Sequence, residues 1–168
     1  MIATCIGNII EQKVEAIVNA ANGIGILGAG VAGAIKRAAG DQIQREAQDI
    51  CEKLGKPVLA GECYKTSAGN LINNGIRNIY HAVTMALPGS ATSIEVVVLS
   101  LRNCLLRATE DGVSSIAIPG LGTGIGRLDK KEVATAMAKI AVEFENKLDI
   151  IFVDLNEEFI RTINECLK

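Results

Sequence analysis

The sequence predicts an α/β chain folded as a three-layer α/β/α sandwich, with a mixed, mostly parallel central sheet of about six strands. Three observations predict it. Short β-branched runs alternate with longer amphipathic stretches along the whole chain, the pattern of strands linked by crossover helices. Several short runs, such as Ala16-Ile-Val-Asn19 and Ser115-Ile-Ala-Ile-Pro119, are apolar at successive positions, as strands covered on both faces must be. Each of these two runs leads into a glycine-rich stretch, Gly23 to Gly33 and Gly120 to Gly126. Glycine is costly to order and recurs in runs where the backbone must take positive φ or approach a ligand closely.

Taken in order, Ile2 to Ile6 and Glu15 to Asn19 read as strands, with Ile9-Ile-Glu-Gln-Lys13 a connector of helical potential. From Gly30 the pattern turns helical, with Val31, Ala34, Ile35 and Ala38 on one stripe and Gly40 as its stop. Asp41 is expected to cap a second helix, with Gln44 completing a capping-box-like pair and Ile43, Ala47, Ile50, Cys51 and Leu54 on the buried face. Pro57 follows its end. Glu62 to Ser67 and Asn78 to Val83 read as strands joined by the polar turn Gly69 to Gly75. Ser93 opens a long helix carrying Val97, Leu101, Cys104 and Leu105 at helical spacing, ended by Asp111-Gly112. Strand Ser115 to Ile118 leads into the second glycine loop, and Asp129 caps a helix reaching to about Glu145. Asp149 to Val153 is the last strand, and Asn156 caps a terminal helix.

Composition bounds the function. At 168 residues the chain is one domain, 1–168, with no linker, repeat or low-complexity segment. Seventeen Lys and Arg against nineteen Asp and Glu leave no field to hold a polyanion, so no nucleic-acid partner is expected. Cys5, Cys51, Cys63, Cys104 and Cys166 are odd in number and contain no C-x-x-C pair, which argues against a disulfide framework and a zinc site. Reduced thiols in a cytoplasm are the expectation. No apolar run is long enough to span a bilayer and no basic n-region precedes one. No metal or cofactor is expected, because no His, Cys or carboxylate cluster has ligand spacing.

Gly23-Ile-Gly-Ile-Leu-Gly28 and Gly28-Ala-Gly-Val-Ala-Gly33 each match G-x-G-x-x-G, so a dinucleotide-binding fold is the first reading to test. It fits poorly. The polar segment Asn19-Ala-Ala-Asn22 separates strand from glycines, and the acidic candidates Asp49 and Glu52 fall inside an amphipathic helix. Neither glycine loop holds the Gly-Lys-Ser/Thr of a P-loop. What remains is a nucleotide diphosphate held mostly by backbone N–H groups.

Ala16-Ile-Val-Asn-Ala-Ala-Asn22, then Gly28-Ala-Gly-Val-Ala-Gly-Ala-Ile35, then Ile118-Pro-Gly-Leu-Gly-Thr-Gly-Ile125 resemble the macrodomain, the ADP-ribose-binding module, and most of all its compact stand-alone prokaryotic members. The resemblance covers essentially the whole chain. It implies binding of ADP-ribose, free or on protein, through Asn8, Ile9, Asn19, Asn22, Gly28, Gly30, Val31, Ala32, Gly122, Thr123, Gly124, Ile125 and Gly126. Asn8 stands where the family places an Asp on the adenine amino group. Asn22 would face the distal ribose and position a catalytic water, with Asn19 ordering the loop or supporting it from behind. Asp154 or Leu155 replaces the aromatic that stacks on adenine, leaving an aliphatic slot.

The departures bear on catalysis. The hydrolytic class carries an Asp where this chain has Ala32, and another class carries an acidic residue where it has Gly126, a position that also often holds an aromatic. The resemblance therefore implies binding of ADP-ribose and related NAD metabolites first. Slow hydrolysis of ADP-ribosylated protein or of O-acetyl-ADP-ribose is an extension of that reading. A non-catalytic reader module is the alternative, and an NAD(P)-dependent oxidoreductase a third. Read without the resemblance, His81 is expected as a hydrogen-bonded core histidine rather than a base, Lys36, Arg37 and Arg127 either touch phosphate or, as the first expectation, are solvated charges, and Thr123 either meets phosphate or packs.

Overall fold

The computed structural model describes residues 1–168. Six strands form one sheet: β1 (Ile2–Ile6), β2 (Ala16–Asn22), β3 (Cys63–Ser67), β4 (Asn78–Met85), β5 (Ser115–Ile118) and β6 (Asp149–Asp154). Five helices connect or follow them: α1 (Gly30–Ala39), α2 (Gln42–Leu54), α3 (Ile94–Glu110), α4 (Lys130–Val142) and α5 (Glu157–Cys166). Short 3-10 turns occupy Ile9–Glu11 and Gly69–Asn74. The strand order is β1-β6-β5-β2-β4-β3, parallel throughout except for β3, which runs antiparallel to β4 at the edge.

The period of two along each strand builds two cores. Ala16, Val18, Tyr80, Ala82, Ile116, Ile118, Ile150 and Phe152 face α3, α4 and α5. Ile17, Ala21, Ile79, Val83, Ala117 and Val153 face α1 and α2. Both faces are therefore dry, which is why the strands read as continuous apolar runs. Phe152 and Phe159 meet edge-on with centroids 6.5 Å apart and pin α5 to β6. No helix is long and apolar enough to cross a membrane.

Two local expectations are corrected. Strand β2 does not stop at Asn19 but runs to Asn22, so the polar segment before the glycines is itself strand, with a register irregularity at Ala21 and Asn22. Asp41 does not cap α2. Its backbone is already helical and its side chain makes no capping bond, while the Gln44 amide reaches instead to the loop after β2. The caps at Ser93, Asp129 and Asn156 form as expected, each side-chain oxygen accepting from first-turn N–H groups. On the helix faces, Leu54 is exposed and Ile50 only half-buried, and α4 ends at Val142, short of Glu145.

The one histidine sits in a polar row inside the α1/α2 layer. Asn19 on β2, His81 on β4 and Tyr64 on β3 are cross-strand neighbours in register, and the Tyr64 and His81 rings stack with centroids 4.5 Å apart. Thr66 Oγ1 donates to the Ser67 carbonyl, so it accepts from His81 Nε2–H at 2.9 Å. That tautomer leaves Nδ1 bare to accept from Asn19 Nδ2 at 3.1 Å. Burial pushes the His81 pKa down to about 3.

The sign of the pH dependence follows. His81 is neutral in the native state, whereas the unfolded chain protonates it below about pH 6.5. Between pH 6.5 and about 3 the unfolded state binds the extra proton, so stability is full above that window and falls as pH drops through it, with a limiting slope of about 1.4 kcal/mol per pH unit. Urea melts at pH 7 and pH 5 should show this loss in the wild type, and His81→Gln should flatten it. An equal loss in both proteins would assign the slope to other groups.

Candidate functional site

The functional candidate forms where β2 lies between β5 and β4, parallel to both. Chains leaving the carboxyl ends of β2 and β5 run into different layers, and a crevice opens between them, the usual ligand position in an open α/β sheet. The cavity there has a volume of about 370 Å³ and is walled by the stretches Ala20–Asn22, Gly28–Ala32 and Gly122–Gly126. Ile26, Thr84, Met85, Pro88, Gly120 and Asp154 complete it. Asp154 is its single charged side chain, and both carboxylate oxygens are occupied, accepting from Gly120 N at 3.0 Å and Asn156 N at 2.8 Å.

What the cavity offers a ligand is backbone. Helix α1 begins at its edge with Ala29 in the cap position, which supplies no side-chain acceptor for the first-turn N–H groups. The N–H groups of Gly28 to Ala32 on one side, and of Gly122 to Gly126 on the other, donate to no acceptor in the protein. Two rows of unpaired donors at one cleft, one of them at a helix N-terminus, make an anion cradle without a cationic side chain.

The glycines divide by what a Cβ would meet. At Gly28, Gly30 and Gly124 nothing lies within 4 Å. Gly30 takes φ +59°, so a larger residue there would be strained, but Gly124 has no such restriction. Gly126 is different, since its Cβ would lie 2.6 Å from the Gly122 carbonyl and 2.7 Å from Thr92 Cγ2. The second loop closes on itself there, through Leu128 N donating to Gly122 O and Arg127 at φ +53°. Gly25, at φ +77°, would drive a Cβ to 2.7 Å from the backbone of Ala47, so the first loop lies flat on α2.

The structure brings Asn22, Gly28, Gly30, Val31, Ala32, Gly122, Thr123, Gly124, Ile125, Gly126 and Asp154 to one cavity. Four other expected residues stand outside its wall. Asn8 Oδ1 accepts from Ile10 N, and Ile9 is buried in the core with α1 and α2. Asn19 is buried against His81. Leu155 is 80% exposed. Asn22 lines the cavity, yet its amide orders the loop: Oδ1 accepts from Ile24 N and Ile26 N, and Nδ2 donates to Ile26 O. No group of three His, Cys, Asp or Glu side chains converges anywhere in the chain.

These geometries can be set beside known proteins. A model of the Macro domain family matches residues 18–137. The chain belongs to the Macro domain family. A protein of Aquifex aeolicus described as uncharacterized is 38% identical over 163 residues, 96% of this chain and 94% of that one. A macro domain-containing protein of Listeria monocytogenes is 34% identical, covering 96% and 94%. Among solved structures, an Oceanobacillus iheyensis macrodomain variant with ADPR superposes with a TM-score of 0.86 at 28% identity, over 98% of this chain and 90% of that one. The Trypanosoma brucei macrodomain in complex with ADP-ribose gives 0.83 at 26% identity, over 99% and 69%.

Sequence reasoning missed Gln44, which holds this macrodomain's first loop from below. Its Oε1 accepts from Leu27 N at 2.9 Å and its Nε2 donates to Gly25 O. The signal was present as a polar residue one step after the buried Ile43, but the same spacing from Asp41 mimics a capping box. Replacing Gln44 with Ala strands a donor and an acceptor in a half-buried loop, and should cost about 1–3 kcal/mol of stability. Faster amide exchange at Leu27 should accompany it. Gln44→Glu, which keeps the acceptor and loses the donor, should fall between. If Gln44→Ala melts like wild type and Leu27 stays protected, the clamp carries no energy.

Proposed function

We propose that this macrodomain binds ADP-ribose, free or attached to protein, with the diphosphate between the two rows of backbone donors. The observation that carries the reading is those rows: two stretches of five N–H groups without protein acceptors, both walling one cavity whose lining holds no Lys or Arg. A diphosphate is the ligand group whose oxygens suit many fixed N–H dipoles and need no single strong charge. Neighbours whose structures carry ADPR or ADP-ribose in this fold support the assignment. We place the adenine end toward Asp154, a reading supported by Gly7 N bonding the Asp154 carbonyl, which brings Asn8 and Leu155 alongside. The distal ribose is placed toward Asn22 and Ala32.

Binding without efficient hydrolysis is the reading the cleft favours. A general base needs a free carboxylate or imidazole within reach of the attacking water. Asp154 has both oxygens occupied, His81 is buried in the sheet layer, and Ala32 and Gly126 bring no acid. The five free cysteines suit a reducing cytoplasm, where we place the protein. An NAD(P)-dependent oxidoreductase has no support from the cleft, whose one acidic side chain, Asp154, has each oxygen bonded to a backbone N–H and so is not left free to clamp a ribose.

Calorimetry should rank ADP-ribose far above AMP and NAD. Gly124→Val should then lower ADP-ribose affinity at least tenfold, about 1.4 kcal/mol, because the new side chain projects into space the diphosphate needs while its Cβ meets no protein atom within 4 Å. Its unliganded melting temperature should match wild type, and its ligand-induced shift should shrink in step with the lost affinity. A shift as large as that of wild type would remove the second loop from the site.

Ala32→Asp tests the chemical half. The new carboxylate would stand in the first turn of α1, beside the proposed distal ribose. The helix dipole favours its ionised form, so folding should be unharmed. Release of ADP-ribose from a modified glutamate should rise from a barely measurable wild-type rate by tenfold or more, with affinity little changed. Readily measured wild-type turnover, no slower than that of the variant, would show that the cleft already catalyses and overturn the reading of binding without efficient hydrolysis.

A further inference from the structure

We propose that Cys63 and Cys104 form a reversible thiol–disulfide site, oxidised by a peroxide and restored by a dithiol. Cys63 opens the edge strand β3 and Cys104 lies on the buried face of α3, forty-one positions away, yet their sulfurs are 3.2 Å apart. Closing that gap to a covalent bond of about 2.05 Å needs movement of roughly an ångström, within the reach of side-chain rotation. The two backbones are held at this approach by independent contacts. Asn103 Nδ2 donates to Gly61 O at 2.8 Å, and Leu99 packs so closely on Gly61 that a Cβ there would meet its Cδ2 at 2.7 Å.

The two thiols are unequal, as a two-step oxidation requires. Cys63 is half-buried and open to a small oxidant, while Cys104 has no exposure. Burial, and then the neighbouring Cys63 sulfur, push the Cys104 thiol up, so it is not the group attacked first. The Cys63 thiolate attacks one peroxide oxygen: an S–O bond forms, the O–O bond breaks, and the leaving hydroxide takes up a proton as water. Cys104 sulfur then attacks the Cys63 sulfenic sulfur: an S–S bond forms, the S–O bond breaks, and the departing hydroxide takes the Cys104 proton as a second water. Two thiols lose two electrons and the peroxide gains them. The product ties the edge strand of the sheet to α3, and neither the reaction nor its result depends on what the cleft binds.

Native protein is treated with a modest excess of hydrogen peroxide, quenched with N-ethylmaleimide and mapped by mass spectrometry. The expected result is a monomer holding a crosslinked pair of peptides with Cys63 and Cys104, lighter by two hydrogens than the two reduced peptides together, alkylation at Cys5 and Cys166, and full reversal of the crosslink by dithiothreitol. The oxidised form should melt several degrees higher, because the bond closes a long loop in the unfolded chain. In Cys104→Ala, a substitution that keeps a small apolar group in the core, Cys63 should instead accumulate as sulfenic acid trapped by dimedone. Recovery of both cysteines alkylated, over-oxidation of Cys63 in wild type, or a lower melting temperature on oxidation would overturn the proposal. The wild-type map decides the matter even if the variant does not fold.

Discussion

The pairing of β2 with two parallel neighbours governs the rest of the molecule. With β5 on one side and β4 on the other, β2 ends at Asn22 between two parallel neighbours. The chain after Asn22 is deflected under α2, the chain after Ile118 toward α4, and the space between them becomes the cleft. The β4 side of this pairing also sets the polar row, because it brings Asn19 into register with His81 and, across β4, with Tyr64. Mutual hydrogen bonds hold this buried row: His81 is bonded at both ring nitrogens, and Asn19 Oδ1 is left without a partner.

A cleft made of backbone has a physical difficulty: loops that present unpaired N–H groups cannot use those groups to hold their own shape. Side-chain amides take that role here. Asn22 bonds three backbone groups of the loop it precedes, and Gln44 bonds two more from the helix beneath. On the opposite wall Asp154 does the same for Gly120, tying the second loop to the end of β6. Side chains around the cleft are therefore occupied with order, while the main chain faces the ligand space. This division explains why the cavity contains Asn22 and Asp154 and still offers little free side-chain chemistry.

The fold was legible because its signals are local and periodic. Apolar runs fixed five of the strands to within a few residues, and the caps at Ser93, Asp129 and Asn156 carried their usual residues. The glycine loops were legible as a site for the same reason. What each glycine does was not, since Gly28 and Gly124 face open space while Gly25 and Gly126 are clamped by backbone, and composition does not distinguish them. Gln44 and the Cys63–Cys104 contact escaped because both join segments distant in sequence. Asn19 and Ile9 were drawn into the site by their proximity to its motifs, whereas the strand period of two turns Asn19 toward His81 and the 3-10 turn buries Ile9 in the core with α1 and α2.

The closed turn at Gly126 limits what chemistry this cleft can acquire. A side chain at that position would press into the Gly122 carbonyl and Thr92, so neither an acid nor an aromatic can be placed there without reopening the loop. The loop's closure also sets the direction of its donors, and reopening it would cost the cradle its geometry. Ala32 carries no such penalty: it lies in an uncapped first helical turn on the opposite wall, where an anionic side chain is electrostatically welcome. The two places where a carboxylate is missing are thus physically unequal. One is barred by packing, and the other is open to a single substitution, so catalytic competence and a well-formed anion cradle are separable properties of this fold.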